Sequence, residues 1–114
     1  HENLEERTFE FAIRILDLLG LLPVNRKTGV IISQMAKAGT TVGANYEESQ
    51  ASHSKGDFYF KIGICLREAR ESNYWLRIIN RRNWLNGNEL LDFLVNESAE
   101  LKGIFGKIYS GRNK

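Results

Sequence analysis

Two glycines four residues apart, Gly39 and Gly43, sit inside QMAKAGTTVGANYEESQAS, residues 34–52. The stretch is otherwise rich in good helix formers, and a glycine in a helix interior costs about 1 kcal/mol relative to alanine. On a wheel of about 100° per residue, Ile31, Ile32, Met35, Ala36, Gly39, Val42, Gly43 and Tyr46 share one arc. The glycines fall mid-stripe, where a core helix ordinarily carries leucine. The adjacent arc holds Gln34, Ala38, Thr41, Asn45 and Ser52, which are small or hydrogen-bonding. Neither arc offers bulk, so another helix can approach closely. This reading makes the segment the central packing helix of an all-helical chain. Paired glycines also occur in phosphate-cradling loops, but the helical period continues on both sides and no Gly-Lys-Ser/Thr follows.

The remaining periodicity predicts three more helices. The first runs from Leu4 to Leu22 and ends at Pro23, the only proline. It carries two apolar stripes: Phe9, Ile13 and Leu16 on one, Phe11, Ile15, Leu18 and Leu22 on the other. Together they are broader than one bundle core requires, so part of this face is a candidate contact for another subunit. The glycine helix spans about Thr28 to Ser52. Ser54 then caps a third helix, with Asp57 three residues on, and the pattern runs to about Asn83. A helix of that length is a rod of roughly 45 Å. After Asn-Gly-Asn at 86–88, a fourth helix runs from Glu89 to Tyr109, with Leu90, Leu94, Leu101, Phe105 and Ile108 aligned. The tail Ser110–Lys114 is expected to fray. Period-two alternation is absent. The expected architecture is all-α, an antiparallel up-down-up-down four-helix bundle forming one domain over residues 1–114.

Several function classes are disfavoured. No apolar run reaches the roughly 18 residues of a membrane span, so no membrane partner is expected. The acidic N-terminal run does not read as a signal peptide. The single cysteine, Cys65, forms no internal disulfide and fits a reducing cytoplasm. It lies on an apolar arc, where a thiol is usually an inert small hydrophobe. Only His1 and His53 are available to a catalytic triad or a metal. Bundles that hold two irons use Glu-x-x-His pairs, whereas this chain has Glu68-x-x-Glu71. No catalytic residues, metal or cofactor are expected, and no enzyme.

Polar residues of the third helix divide into two groups. Lys61 and Glu68 fall within its apolar arc, which holds Phe58, Ile62, Cys65, Ala69, Trp75, Leu76 and Ile79. Such charges are seldom buried unpaired, so Lys61 and Glu68 are expected to join Asn45 and Glu48 of the second helix in a structural polar network. The second group is exposed. Net charge is only +2, yet residues 55–87 hold seven basic and three acidic side chains. Arg67, Arg70, Arg77 and Arg81 lie within about 80° on the wheel, with Tyr74 among them and Arg82 adjoining. Arginine makes forked contacts to phosphate, and tyrosine stacks on bases. The bland reading of the same residues is a solvated face with local ion pairs, such as Arg67 with Glu71. Trp84, in the turn before the fourth helix, either caps the bundle end or anchors a partner.

These residues also carry a resemblance. Residues 34–79 contain Gln34, Val42, Ala44, Asn45, Tyr46 and Glu48, then Asp57, Phe58 and Lys61, then Glu68, Ala69, Glu71, Tyr74, Trp75 and Leu76. In that order and spacing they resemble the signature of the 23S rRNA intervening-sequence proteins, with Thr41 where serine is more usual. The resemblance implies an antiparallel four-helix bundle and a ring assembly, typically a homopentamer. Related accessory proteins of diversity-generating retroelements bind nucleic acid and a reverse transcriptase, and no enzymatic activity is established for the family. The expected partners are therefore other copies of the chain, RNA or DNA, or a protein. The expected function is a non-enzymatic oligomer contacting nucleic-acid backbone through its third helix. The alternative is an adaptor ring that binds protein alone.

Overall fold

The computed structural model describes residues 3–114. His1, one of the two histidines weighed above, lies outside the described residues. Four helices follow in order: α1 (Leu4–Leu19), α2 (Arg26–Gln50), α3 (Lys55–Arg82) and α4 (Glu89–Tyr109). A short 3-10 turn, Ser110–Asn113, closes the chain, and the described residues contain no strand.

Each helix begins at a side chain that accepts an otherwise unpaired backbone N–H. Asn3, Asn25, Ser54 and Asn88 do this for α1 to α4 in turn. Ser54 takes the amide of Asp57 at 3.0 Å, as the sequence predicts. Asn25 takes the amides of Lys27 and Thr28, and Thr28 Oγ1 accepts from the Asn25 amide at 3.0 Å. That reciprocal cap starts α2 two residues earlier than expected, with threonine in place of the usual glutamate. The first helix stops three residues short of the expected Leu22. Gly20, Leu21 and Leu22 unwind as a turn, yet Leu22 remains buried. Asn83 ends α3 with φ 59°, a left-handed conformation that asparagine tolerates.

Side-chain contacts give the direction of every helix. Gly39 and Gly43 of α2 face Ile15 and Thr8 of α1. Cys65 meets Val42, and Lys61 meets Glu48. Asn73 bonds Ser98, while Gly63 faces Tyr109. Arg7 bonds Glu97, and Arg14 lies over Phe93. In all four pairs, moving forward along one helix moves backward along the other. The result is the expected antiparallel up-down-up-down bundle, 44 Å along its longest axis.

The core runs through all four helices, with Phe11, Ile15, Met35, Ile62, Leu94 and Phe105 essentially sealed from solvent. Of the two α1 stripes, Phe11, Ile15, Leu18 and Leu22 are inside. Phe9, Ile13 and Leu16 are outside, with 60, 41 and 49% of their surface exposed. Trp84 is half-buried against the core, with the Arg82 guanidinium 5.7 Å from its ring centroid. The tail expected to fray is placed as the 3-10 turn Ser110–Asn113, with contacts back to the bundle. Lys55 Nζ donates to the Lys114 carbonyl at 2.7 Å, and the Arg112 guanidinium stacks 4.2 Å from the Tyr109 ring centroid.

Candidate nucleic-acid interface

The helical period of α3 puts its arginines on the side away from the core. Arg67, Arg70, Tyr74, Arg77, Arg81 and Arg82 are all exposed, Tyr74 by 50%. Arg67, Arg70, Glu71, Tyr74 and Arg77 line one shallow surface cleft. The Arg77 guanidinium lies 5.7 Å from the Tyr74 ring centroid, and its Nε donates to Asn73 Oδ1 at 2.9 Å. Asn73 is buried and donates in turn to Ser98 Oγ at 2.9 Å and the Val95 carbonyl at 3.3 Å. A chain of polar contacts therefore runs from α4 through Asn73 to the surface guanidinium and holds it in place.

Few carboxylates neutralise this face. The expected Arg67–Glu71 pair is replaced by Arg67–Glu68, at 3.6 Å. Glu71 instead accepts from Trp75 Nε1 at 3.2 Å. Arg70 and Arg81 have no ion-pair partner among the described residues. Phe60 extends the same face toward the start of α3. It is 65% exposed and stands seven residues before Arg67, so Phe60, Arg67, Tyr74 and Arg81 form one line. The basic face read from the sequence starts at Arg67 and includes Tyr74 but not Phe60, one heptad earlier. Its heptad spacing from Tyr74 was the available signal.

The four residues expected to form one polar network fall into three separate contacts. Lys61 Nζ stands 3.8 Å from Glu48 Oε1. Asn45 donates to the Thr41 carbonyl of its own helix at 3.1 Å. Glu68 is buried beside Arg67. The polar links between helices lie mainly elsewhere. Arg7 Nε and Nη2 each donate to Glu97 at 2.7 Å, with both side chains nearly buried. Arg7 Nη2 also reaches Glu100 at 2.6 Å. This fork ties α1 to α4 over 90 residues of sequence. A wheel drawn on one helix at a time carries no signal for it.

The remaining candidates for chemistry are sparse. Cys65 is sealed, its Sγ 3.4 Å from the Val42 carbonyl, and burial pushes its thiol up to about 12. Among the described residues no three histidine, cysteine, aspartate or glutamate side chains come together to hold a metal ion. No described helix is long and apolar enough to cross a membrane.

The 23S rRNA-intervening sequence protein profile matches residues 3–106. The chain belongs to that family. A solved structure from Bacteroides thetaiotaomicron, described as a protein with unknown function from the S23 ribosomal protein family, shares 32% identity with it. The match covers 94% of this chain and 98% of the other, with a TM-score of 0.83. No curated protein matches the chain. The family is therefore supported by both sequence and fold, and the Bacteroides relative brings no assigned activity with it.

Proposed function

We propose that the protein is a non-enzymatic oligomeric bundle that binds RNA or DNA backbone through the basic face of α3. The observation that carries this reading is the outward set Arg67, Arg70, Arg77 and Arg81, of which only Arg67 has an ion-pair partner among the described residues. Guanidinium groups left without carboxylates are available to phosphate, and Arg77 is held in place by Asn73. Such binding is electrostatic and weakly sequence-specific. A lone buried thiol, with no disulfide, fits a cytoplasmic site of action.

Assembly is the second part of the proposal. Phe9, Ile13 and Leu16 on α1 form an exposed apolar strip, bordered by Phe93 on α4, that favours contact with further copies of the chain. A ring of five, which the family resemblance implies, would repeat the α3 face and multiply its field. The same strip is what favours the alternative, an adaptor ring that binds protein alone.

The test is fluorescence anisotropy of a labelled structured RNA over a salt series. Affinity that falls steeply with salt is expected, because each neutralised phosphate releases counterions. Arg70→Glu with Arg81→Glu should abolish binding at moderate salt without changing the helical signal or the melting temperature. These two are chosen because neither has an ion-pair partner among the described residues, whereas Arg77 is bonded to buried Asn73. Binding that survives this double substitution overturns the site. No binding to RNA or DNA at low salt overturns the function and leaves the adaptor reading.

A further inference from the structure

The α3 face is more than a basic stripe. Phe60, with 65% of its surface exposed, and Tyr74, with 50%, stand on the same line as Arg67 and Arg81. No aromatic or cationic group packs on the Phe60 ring among the described residues. The two rings are fourteen residues apart, or about 21 Å along the helix. Arg67 and Arg70 lie between them, and Arg77 and Arg81 lie beyond Tyr74.

Exposed aromatics within a cationic track are poorly suited to a duplex. In a duplex the bases are stacked and paired, so a ring can reach phosphate, sugar and groove edges but no base face to stack on. A ring there forgoes the stacking that an unpaired base provides. A single strand offers unstacked bases alongside its phosphates. Aromatic side chains then supply stacking platforms, and arginines track the backbone.

We propose that α3 takes its nucleic acid as a single strand, with Phe60 and Tyr74 as base-stacking platforms and the intervening arginines on phosphate. This rests on the nucleic-acid reading above and narrows it to one substrate class. Arg77 packs over the Tyr74 ring and steadies that platform, whereas Phe60 stands free. Every base has a π-face, so this contact discriminates strandedness rather than sequence.

The experiment compares a labelled single-stranded oligonucleotide of mixed sequence with the same sequence as a duplex, titrated with the full chain. DNA and RNA versions are both used. Tighter binding of the single strand is expected. Phe60→Ala and Tyr74→Ala should each weaken it by roughly five- to a hundredfold, the usual loss for one stacked base. The preference for the single strand over the duplex should fall by the same factor, and Phe60→Trp should retain single-strand binding. Phe60 is exposed, so its truncation should leave the melting temperature in place, and oligomeric mass in sedimentation should also hold. Equal affinity for both forms, indifferent to Phe60→Ala, overturns the inference and leaves the backbone-binding function standing. No binding to either form overturns the function itself, and this inference with it. A Phe60→Ala variant that falls apart into smaller species overturns it too, because the ring then serves a subunit contact.

Discussion

Gly39 has no room for a β-carbon: an atom placed there would stand 2.8 Å from Cγ1 and 2.9 Å from Cγ2 of Ile15. Ile15 is fully buried and branched at the contact, so it cannot swing aside. At Gly43 the obstacle is the backbone of α1, with the Thr8 carbonyl oxygen 3.1 Å away. The two glycines are the surface on which α1 lies against α2. Their low helix propensity is offset by that close approach.

Gly39→Ala should therefore destabilise the fold although alanine is the better helix former. Overpacking a close contact costs about 1–3 kcal/mol, against about 1 kcal/mol gained in propensity. Gly103 provides the control, because it lies within α4 with nothing within 4 Å of an added β-carbon. Gly103→Ala should stabilise by about 0.5–1 kcal/mol. Urea denaturation measures both. A Gly39→Ala variant that gains stability alongside Gly103→Ala would refute the close-packing account.

The second prediction concerns the fork between α1 and α4. Arg7 and Glu97 retain 13 and 10% side-chain exposure, and the two hydrogen bonds are both 2.7 Å. Removing one partner of such a pair leaves the other charge almost unsolvated. Arg7→Met should cost about 3 kcal/mol, whereas replacing both partners by apolar residues should cost much less than two single losses. Additive losses in a double-mutant cycle would show that the two side chains act independently. Glu100 is 65% exposed, so its truncation alone should change little.

The pattern of agreement between sequence and structure has a physical origin. Helix positions, the Ser54 cap and the close-packed glycines are local or periodic properties, and a wheel contains them. The end of α1 and the start of α2 differ from the expected bounds by three and two residues: α1 gives way to a turn at Gly20–Leu22 ahead of Pro23, and the Asn25–Thr28 cap uses threonine where glutamate is usual. The Arg7–Glu97 fork and the Asn73–Ser98 bond join residues far apart in sequence, and no single-helix pattern encodes such partners. The polar residues of α3 were rightly placed near its apolar arc, but which residues they meet depends on the azimuth of the neighbouring helices. The basic face was legible throughout, because exposure follows from the period. Phe60 was equally legible in principle, seven residues before Arg67.

The third prediction is a pH dependence. Burial raises the Cys65 thiol from an ordinary 9.0 to about 12, so the folded chain holds this proton more tightly than the unfolded chain. Below pH 9 both states are protonated and stability is unaffected. Between pH 9 and about 12 the unfolded state ionises first, so stability falls as pH rises. Each unit in that window removes up to about 1.4 kcal/mol. Tyr46, raised chiefly by burial, acts in the same direction at the alkaline end. Chemical denaturation across this range, with Cys65→Ala as reference, isolates the thiol. Parallel curves for the two proteins would remove it as a cause. In the same protein iodoacetamide should label Cys65 only after denaturation.

The last prediction tests assembly through α1. Phe9, Ile13 and Leu16 recur every three or four residues, so they line one side of the helix. Phe93 of α4 borders them, under the Arg14 guanidinium at 4.9 Å. None of the four is needed to seal the core, since Phe11, Ile15 and Leu18 already do so. Ile13→Glu should therefore leave the monomer folded, with its helical content intact, because a 41%-exposed position keeps a charge hydrated. In an assembly built on this strip, the same carboxylate would be driven into an apolar contact at a cost of several kcal/mol per interface. A ring has one such interface for every subunit, so the penalty is repeated around it. Sedimentation velocity should accordingly show the wild-type chain as an oligomer and Ile13→Glu as a smaller species. An unchanged sedimentation coefficient would exclude this strip and move the subunit contact to other exposed apolar residues, Leu21, Val24 and Val30 at the α1–α2 connection or Phe60 of α3. Retained RNA affinity per subunit in the dissociated variant would further show that the α3 face works without the ring. A loss of affinity would show that phosphate binding depends on the repeated field of several copies.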